Sequence, residues 1–149
     1  MSTSGTMAEP PLAAEPLKPN VIMANMELEK AFCSAMSSKN VDGVMACLLN
    51  SPDLVVVLYG KVLRGPEQVR GELRVLFDKM RALTLEVDAV KYIACGEAVI
   101  AVGTATYQFY PRNGPASTLV ERWTDVRRCI QGRWVTVLDH AEKLPERLL

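Results

Sequence analysis

Only one histidine, His140, occurs in 149 residues, and no two cysteines are spaced as a CxxC pair. Cys33, Cys47, Cys95 and Cys129 are scattered, so a zinc site would have one histidine and no paired thiolates to draw on. No metal is expected. An excess of either charge is missing too, with 17 Lys and Arg against 17 Asp and Glu. A balanced chain has no overall field to draw it to nucleic acid or acidic lipid, and Arg127–Arg128 is too small a basic patch to supply one. No apolar run reaches membrane-spanning length, and the N-terminus lacks the basic-then-apolar order of a signal peptide. The expectation is a cytoplasmic protein that binds neither nucleic acid nor membrane, with reduced cysteines acting as small apolar filler. A P-loop, a dinucleotide glycine turn, HExxH and GxSxG are also absent, and no cofactor is expected.

What the chain has is apolar material. Hydrophobic residues make up 49% against 23% charged, enough for one packed core. Residues 1–20 hold Pro10, Pro11, Pro16 and Pro19 among small and polar neighbours, which predicts a flexible leader before a domain over 21–149. Leu28, Ala31, Phe32, Ala35 and Met36 recur at helical spacing over about 24–38. Asn40 is placed to cap a short second helix, and "LVVVLY" (54–59) predicts a strand. "RGPEQVRGELRVLFDKM" opens a third helix on Gly65 and Pro66, with Val69, Leu73, Leu76, Phe77 and Met80 on its apolar face. Beyond residue 83 the apolar period drops from 3.6 to 2. "LTLEVDAVKYI", "AVIAVGTATYQFY", "STLVERWTDVRRC" and "RWVTVLDHA" are joined by "ACGE", "PRNGPA" and "IQG", which predicts four sequential antiparallel strands. The class is α+β, a curled sheet wrapped on a long helix.

That order of elements over about 24–142 resembles the SnoaL-like members of the nuclear transport factor/ketosteroid isomerase superfamily. The likeness is sharpest at "RGPEQV" and at "ERWTDVRRCIQGRWVTVLDHAEKLP", whose last strand has the form G-[KR]-W-x-x-V-x-D-H-[AS] with a proline soon after. The same stretch is similar to the association domain of calcium/calmodulin-dependent protein kinase. The resemblance implies a cone-shaped cystatin-like α+β barrel with a pocket at its open end, commonly in a homodimer. The superfamily holds isomerases, epoxide hydrolases, cyclases, dehydratases and non-catalytic assembly modules, so the fold does not name a reaction.

Adjacent strand residues point to opposite faces, so Asp139 and His140 do not form a ready-made dyad. Regular alternation puts Val135, Val137 and Asp139 on one face and Trp134, Thr136, Leu138 and His140 on the other. Similarity to limonene epoxide hydrolase-like proteins implies that Asp139 faces the pocket. There it is either a general base whose pKa burial raises, or a structural carboxylate at a strand end. The partner residues of that family fall on Gly103 and Ala105, small residues that leave ligand room or mark a bend. The ketosteroid isomerase acids are missing as well: "VVVLYGKVL" holds no acid, and the oxyanion position falls near Thr124.

Similarity to the kinase association domain implies a pocket arginine at Arg122, and Asp139 is its natural partner. The face Thr118, Val120, Arg122, Thr124 and Val126 is set against Leu119, Glu121, Trp123 and Asp125. The expected pocket set is therefore Asp139 as catalytic candidate with Arg122, Tyr59, Tyr107, Thr124 and Val137. Trp123, Trp134 and His140 are expected at a dimer interface. The expected partner is a small apolar or carboxylate-bearing molecule, held without classical isomerase or epoxide hydrolase activity. Two alternatives stand: a small isomerase, cyclase or hydrolase with Asp139 as base, and a homo-oligomeric assembly module.

Overall fold

The computed structural model describes residues 15–145, together with Gly5 and Ala8. Most of the expected leader therefore lies outside the described residues. Helix α1 (Pro19–Ser37) begins earlier than apolar periodicity predicts, because Pro19 stands in the first turn, where a missing N–H costs nothing. Helix α2 (Val41–Ala46) is capped as expected: the Asn40 side chain accepts from the Gly43 N–H at 3.0 Å.

Strand β1 (Val55–Leu58) is followed by a strand the sequence reading lacks, β2 (Lys61–Arg64). The turn between them is Tyr59–Gly60, both at positive φ (53° and 87°), the geometry that matches the twist of a two-residue hairpin. Helix α3 (Gly65–Lys79) then leads into β3 (Met80–Cys95), β4 (Ala98–Pro111), β5 (Ser117–Ile130) and β6 (Arg133–Lys143). The six strands form one sheet in the order β2-β1-β6-β5-β4-β3. β3 to β6 pair antiparallel in sequence, as predicted, whereas β1 joins the free edge of β6 in parallel. The result is an α+β domain whose curled sheet stays unclosed, with α1 packed along β3 and α2.

The core lies between the concave face of the sheet and the helices. Leu54, Val44 and Leu83 are almost wholly buried there, beside Met36 of α1 and Phe77 of α3. Each such side chain contributes about 1.5–3 kcal/mol by leaving water. Cys47 is buried filler as expected and Cys33 half-buried, but Cys95 and Cys129 are exposed; all four are free thiols. Among the described residues no helix is long and apolar enough to cross a membrane.

Two irregularities decide which side chains face inward. In β3 the register shifts between Asp88 and Lys91, with Ala89 at φ 53°. In β6, Thr136 pairs with Arg127 and Leu138 with Val126, so Val137 is an extra residue without a cross-strand partner. A one-residue bulge reverses the faces of everything beyond it.

Gly103 makes a third local adjustment. The ring of Trp123 occupies the space over it: a Cβ there would lie 2.7 Å from Trp123 Cζ2 and 3.1 Å from the Asp88 carbonyl oxygen. The room left by this glycine is thus filled by the protein's own tryptophan. Gly103→Ala should cost about 1–3 kcal/mol of stability through overpacking, read as a lowered urea midpoint at unchanged slope.

Candidate functional site

The concave face of the sheet, α1 and α3 enclose a cavity of about 580 Å³. Its walls are mostly apolar: Leu28 and Phe32 from α1, Leu73 and Leu76 from α3, Tyr107 and Phe109 from β4. The last two rings stack at 5.3 Å. The polar lining comes chiefly from β5, where Leu119, Glu121, Trp123, Asp125 and Arg127 alternate inward. From β6 come Thr136 and Asp139, one on each side of the bulge.

Arg127 organises this floor. Only 3% exposed, it gives its Nε and Nη2 to Asp125 Oδ2 at 3.2 and 2.9 Å. Its Nη1 donates to Glu29 Oε1 of α1 at 2.9 Å and to the Asn25 carbonyl at 3.3 Å. Tyr92 of β3 donates to the other oxygen of Glu29 at 2.7 Å, and the guanidinium lies 5.6 Å from the Trp123 ring centroid. A buried guanidinium is tolerable only when its donors are this fully occupied.

Asp125 and Asp139 stand directly opposite each other on β5 and β6, and both line the cavity. Burial raises the pKa of Asp139 well above the ordinary aspartate value; the Asp125 carboxyl and then Glu121 add to the rise, and Arg127 opposes it. Burial and a neighbouring carboxyl thus both favour the protonated form of Asp139. Nearer the solvent, the Tyr59 hydroxyl donates to Glu121. Burial raises the Glu121 pKa, opposed by that hydrogen bond. Burial also raises Tyr107, so its phenol stays neutral. Among the described residues, no group of three or more His, Cys, Asp and Glu is arranged for a metal ion.

Asp139, Tyr59 and Tyr107 all line this cavity. The other assignments change. Arg122 is exposed and lies on the opposite face of β5 with Thr124, because the inward set is the one that includes Trp123. No Arg122–Asp139 pair forms; the buried pair is Arg127–Asp125. Val137 is the bulge residue and does not line the cavity, whereas Thr136, expected on the outer face, does. Trp123 is buried in the cavity wall rather than on an outer surface, with its Nε1 unpartnered among the described residues. Trp134 pairs with Cys129 on the near side of the bulge and shares the face of Thr136. His140 lies exposed, opposite Thr124 on the outer face.

Glu29, Glu121, Asp125 and Arg127 are the residues missed. The signal for the last three is the i, i+2 series Glu121, Trp123, Asp125, Arg127, in which a large aromatic sits between charges on one strand face.

An aspartic acid with a raised folded-state pKa binds more protons folded than unfolded between its two pKa values. Its ionisation therefore erodes stability as pH rises from about 4 through the folded-state value. Asp139→Asn keeps the shape and removes the titration. The variant should gain melting temperature relative to wild type as the buffer goes from about pH 5 to about pH 8. A constant difference across that range would contradict a raised Asp139.

Residues 30–137 match the family model of the SnoaL-like domain. No curated protein matches the chain. Among solved structures, a candidate dehydratase of the NTF2-like family from Streptomyces avermitilis superposes with a TM-score of 0.76 at 17% identity, over 86% of this chain and 99% of that one. A protein of unknown function with a cystatin-like fold from Nostoc punctiforme gives 0.73 at 18% identity, over 91% and 100%. A candidate calcium/calmodulin dependent protein kinase II association domain from Xanthomonas campestris gives 0.69 at 18%, over 90% and 96%. Identities this low carry the fold and not the chemistry. The match over 30–137 places the chain in the SnoaL-like domain family.

Proposed function

We propose that the cavity binds a small, largely apolar molecule and that Asp139 exchanges a proton with it. The observation that supports this reading is the Asp125–Asp139 pair on the floor of an apolar-walled cavity, with Arg127 bonded to Asp125. A neutral carboxyl at that depth is a proton donor kept from water by its walls. Once it has given up its proton it faces Asp125 and Glu121, and that repulsion favours taking a proton back. Donation to a hydroxyl releases water, and removal of a proton from the adjacent carbon restores Asp139. On a carbonyl compound the same two transfers relocate a double bond. Dehydration or isomerisation of a compact ring compound fits this pair better than hydrolysis, which needs a positioned water and a second acid–base set. The name of the Streptomyces neighbour, a candidate dehydratase, belongs to the same class of chemistry.

A second reading concerns assembly. On the outer face of the sheet, Ile100, Val126 and Leu138 form a cross-strand row that is only half-buried, and Val102 and Val120 extend it. A face of that kind suits a second copy of the chain, making a homodimer.

The proton-transfer reading is tested by deuterium exchange next to the carbonyl of 2-tetralone in D2O. Wild type should accelerate the exchange, and Asp139→Asn should lose about 10²-fold or more of it while staying folded. Exchange that is undiminished in the variant, or a wild type that neither binds the ketone nor exchanges it, would contradict the proposal.

A further inference from the structure

We infer that the molecule held in the cavity carries an anionic group, a carboxylate or its equivalent, which stays at the mouth against Lys143 and Lys79 while the neutral end reaches Asp139. The inference rests on the binding reading above and names the ligand class for that same site.

The cavity separates charge by depth. Glu29, Glu121, Asp125 and Asp139 all line it, and of these Glu121 and Asp125 are buried. The one cation beside them is Arg127, whose Nε, Nη1 and Nη2 are already occupied by Asp125, Glu29 and the Asn25 carbonyl. An anion driven to that depth would meet carboxyls and no available cation, at a desolvation cost that nothing offsets. The neutral end of a ligand is the end that fits there.

The outer part of the lining carries the opposite net charge, with Glu72 as its acid among the described residues. Lys61, Lys79 and Lys143 all line the cavity and all are exposed. Lys61 is paired with Glu72 at 2.7 Å. Lys79 and Lys143 form no ion pair among the described residues. The Lys143 ammonium lies 4.9 Å from the centroid of the Tyr59 ring, at the tip of the β1–β2 hairpin. The Tyr59 hydroxyl donates to Glu121, which is paired across β5 and β6 with Lys143. A flexible ammonium seated on an aromatic face at the edge of an apolar cavity is arranged to receive a ligand's charged end.

The test uses a matched pair of probes, phenylhexanoate and phenylhexanol, titrated calorimetrically into the full chain. Wild type should bind the carboxylate about fivefold more tightly at low ionic strength, the range of an exposed ion pair. Lys79→Gln/Lys143→Gln should bind the two probes within about twofold of each other, with affinity for the alcohol unchanged. Lys61→Gln, whose ammonium is already paired, should keep the preference. Equal or tighter binding of the alcohol by wild type would overturn the anion inference and leave the binding reading standing. So would a preference that survives the double substitution. If neither probe bound, the binding reading would fall and this inference with it.

Discussion

The Arg127 guanidinium is the constraint around which the interior is arranged. An almost fully buried cation must have its donors occupied, and the groups that meet this one come from different parts of the fold. Asp125 comes from the same strand, Glu29 and the Asn25 carbonyl from α1, and Tyr92 of β3 supports Glu29. One side chain thereby ties the long helix to the middle of the sheet. Apolar packing would tolerate sliding of α1 along β3; these directional bonds do not.

The same interaction sets up the chemistry. Arg127 binds Asp125 at two points and makes no bond to Asp139, so the second carboxyl across the strand pair has burial and a carboxylate neighbour acting on it together. Both effects favour its neutral form. A structural ion pair on one strand thus creates a proton donor on the next. The apolar walls contributed by α1, α3 and β4 give that donor a dry place to act. Reactivity, in this account, follows from which of two carboxyls the arginine reaches.

The fold was legible in the sequence because its signals are additive. Helical spacing in 28–36, the Asn40 cap, the Gly65–Pro66 start and the change of period after residue 83 each stand on several residues. The β1–β2 hairpin was missed although Tyr59–Gly60 is a recognisable two-residue turn, because "KVLR" is short and merges with the approach to α3. The site was less legible, for a sharper reason. The expected inner face of β5 follows from the resemblance that implies a pocket arginine at Arg122, and the reverse holds: Glu121 and Asp125 face inward, partnered by Tyr59 and Arg127. On β6 regular alternation groups Val137 with Asp139, whereas Val137 is the bulge residue and Thr136 lines the cavity with Asp139. Asp139 is placed by the resemblance of the last strand, whereas Tyr59 and Tyr107 lie outside β5 and β6, so neither choice of face bears on them.

The central claim is that Asp139 holds a proton where an ordinary aspartate has lost it. Carbon-13 labelling of the aspartate carboxyls, followed by NMR through a pH titration, reads this directly. One carboxyl signal, absent in Asp139→Asn, should titrate well above the ordinary aspartate range. An Asp139 signal that titrates near about pH 4, where an ordinary aspartate does, would contradict it.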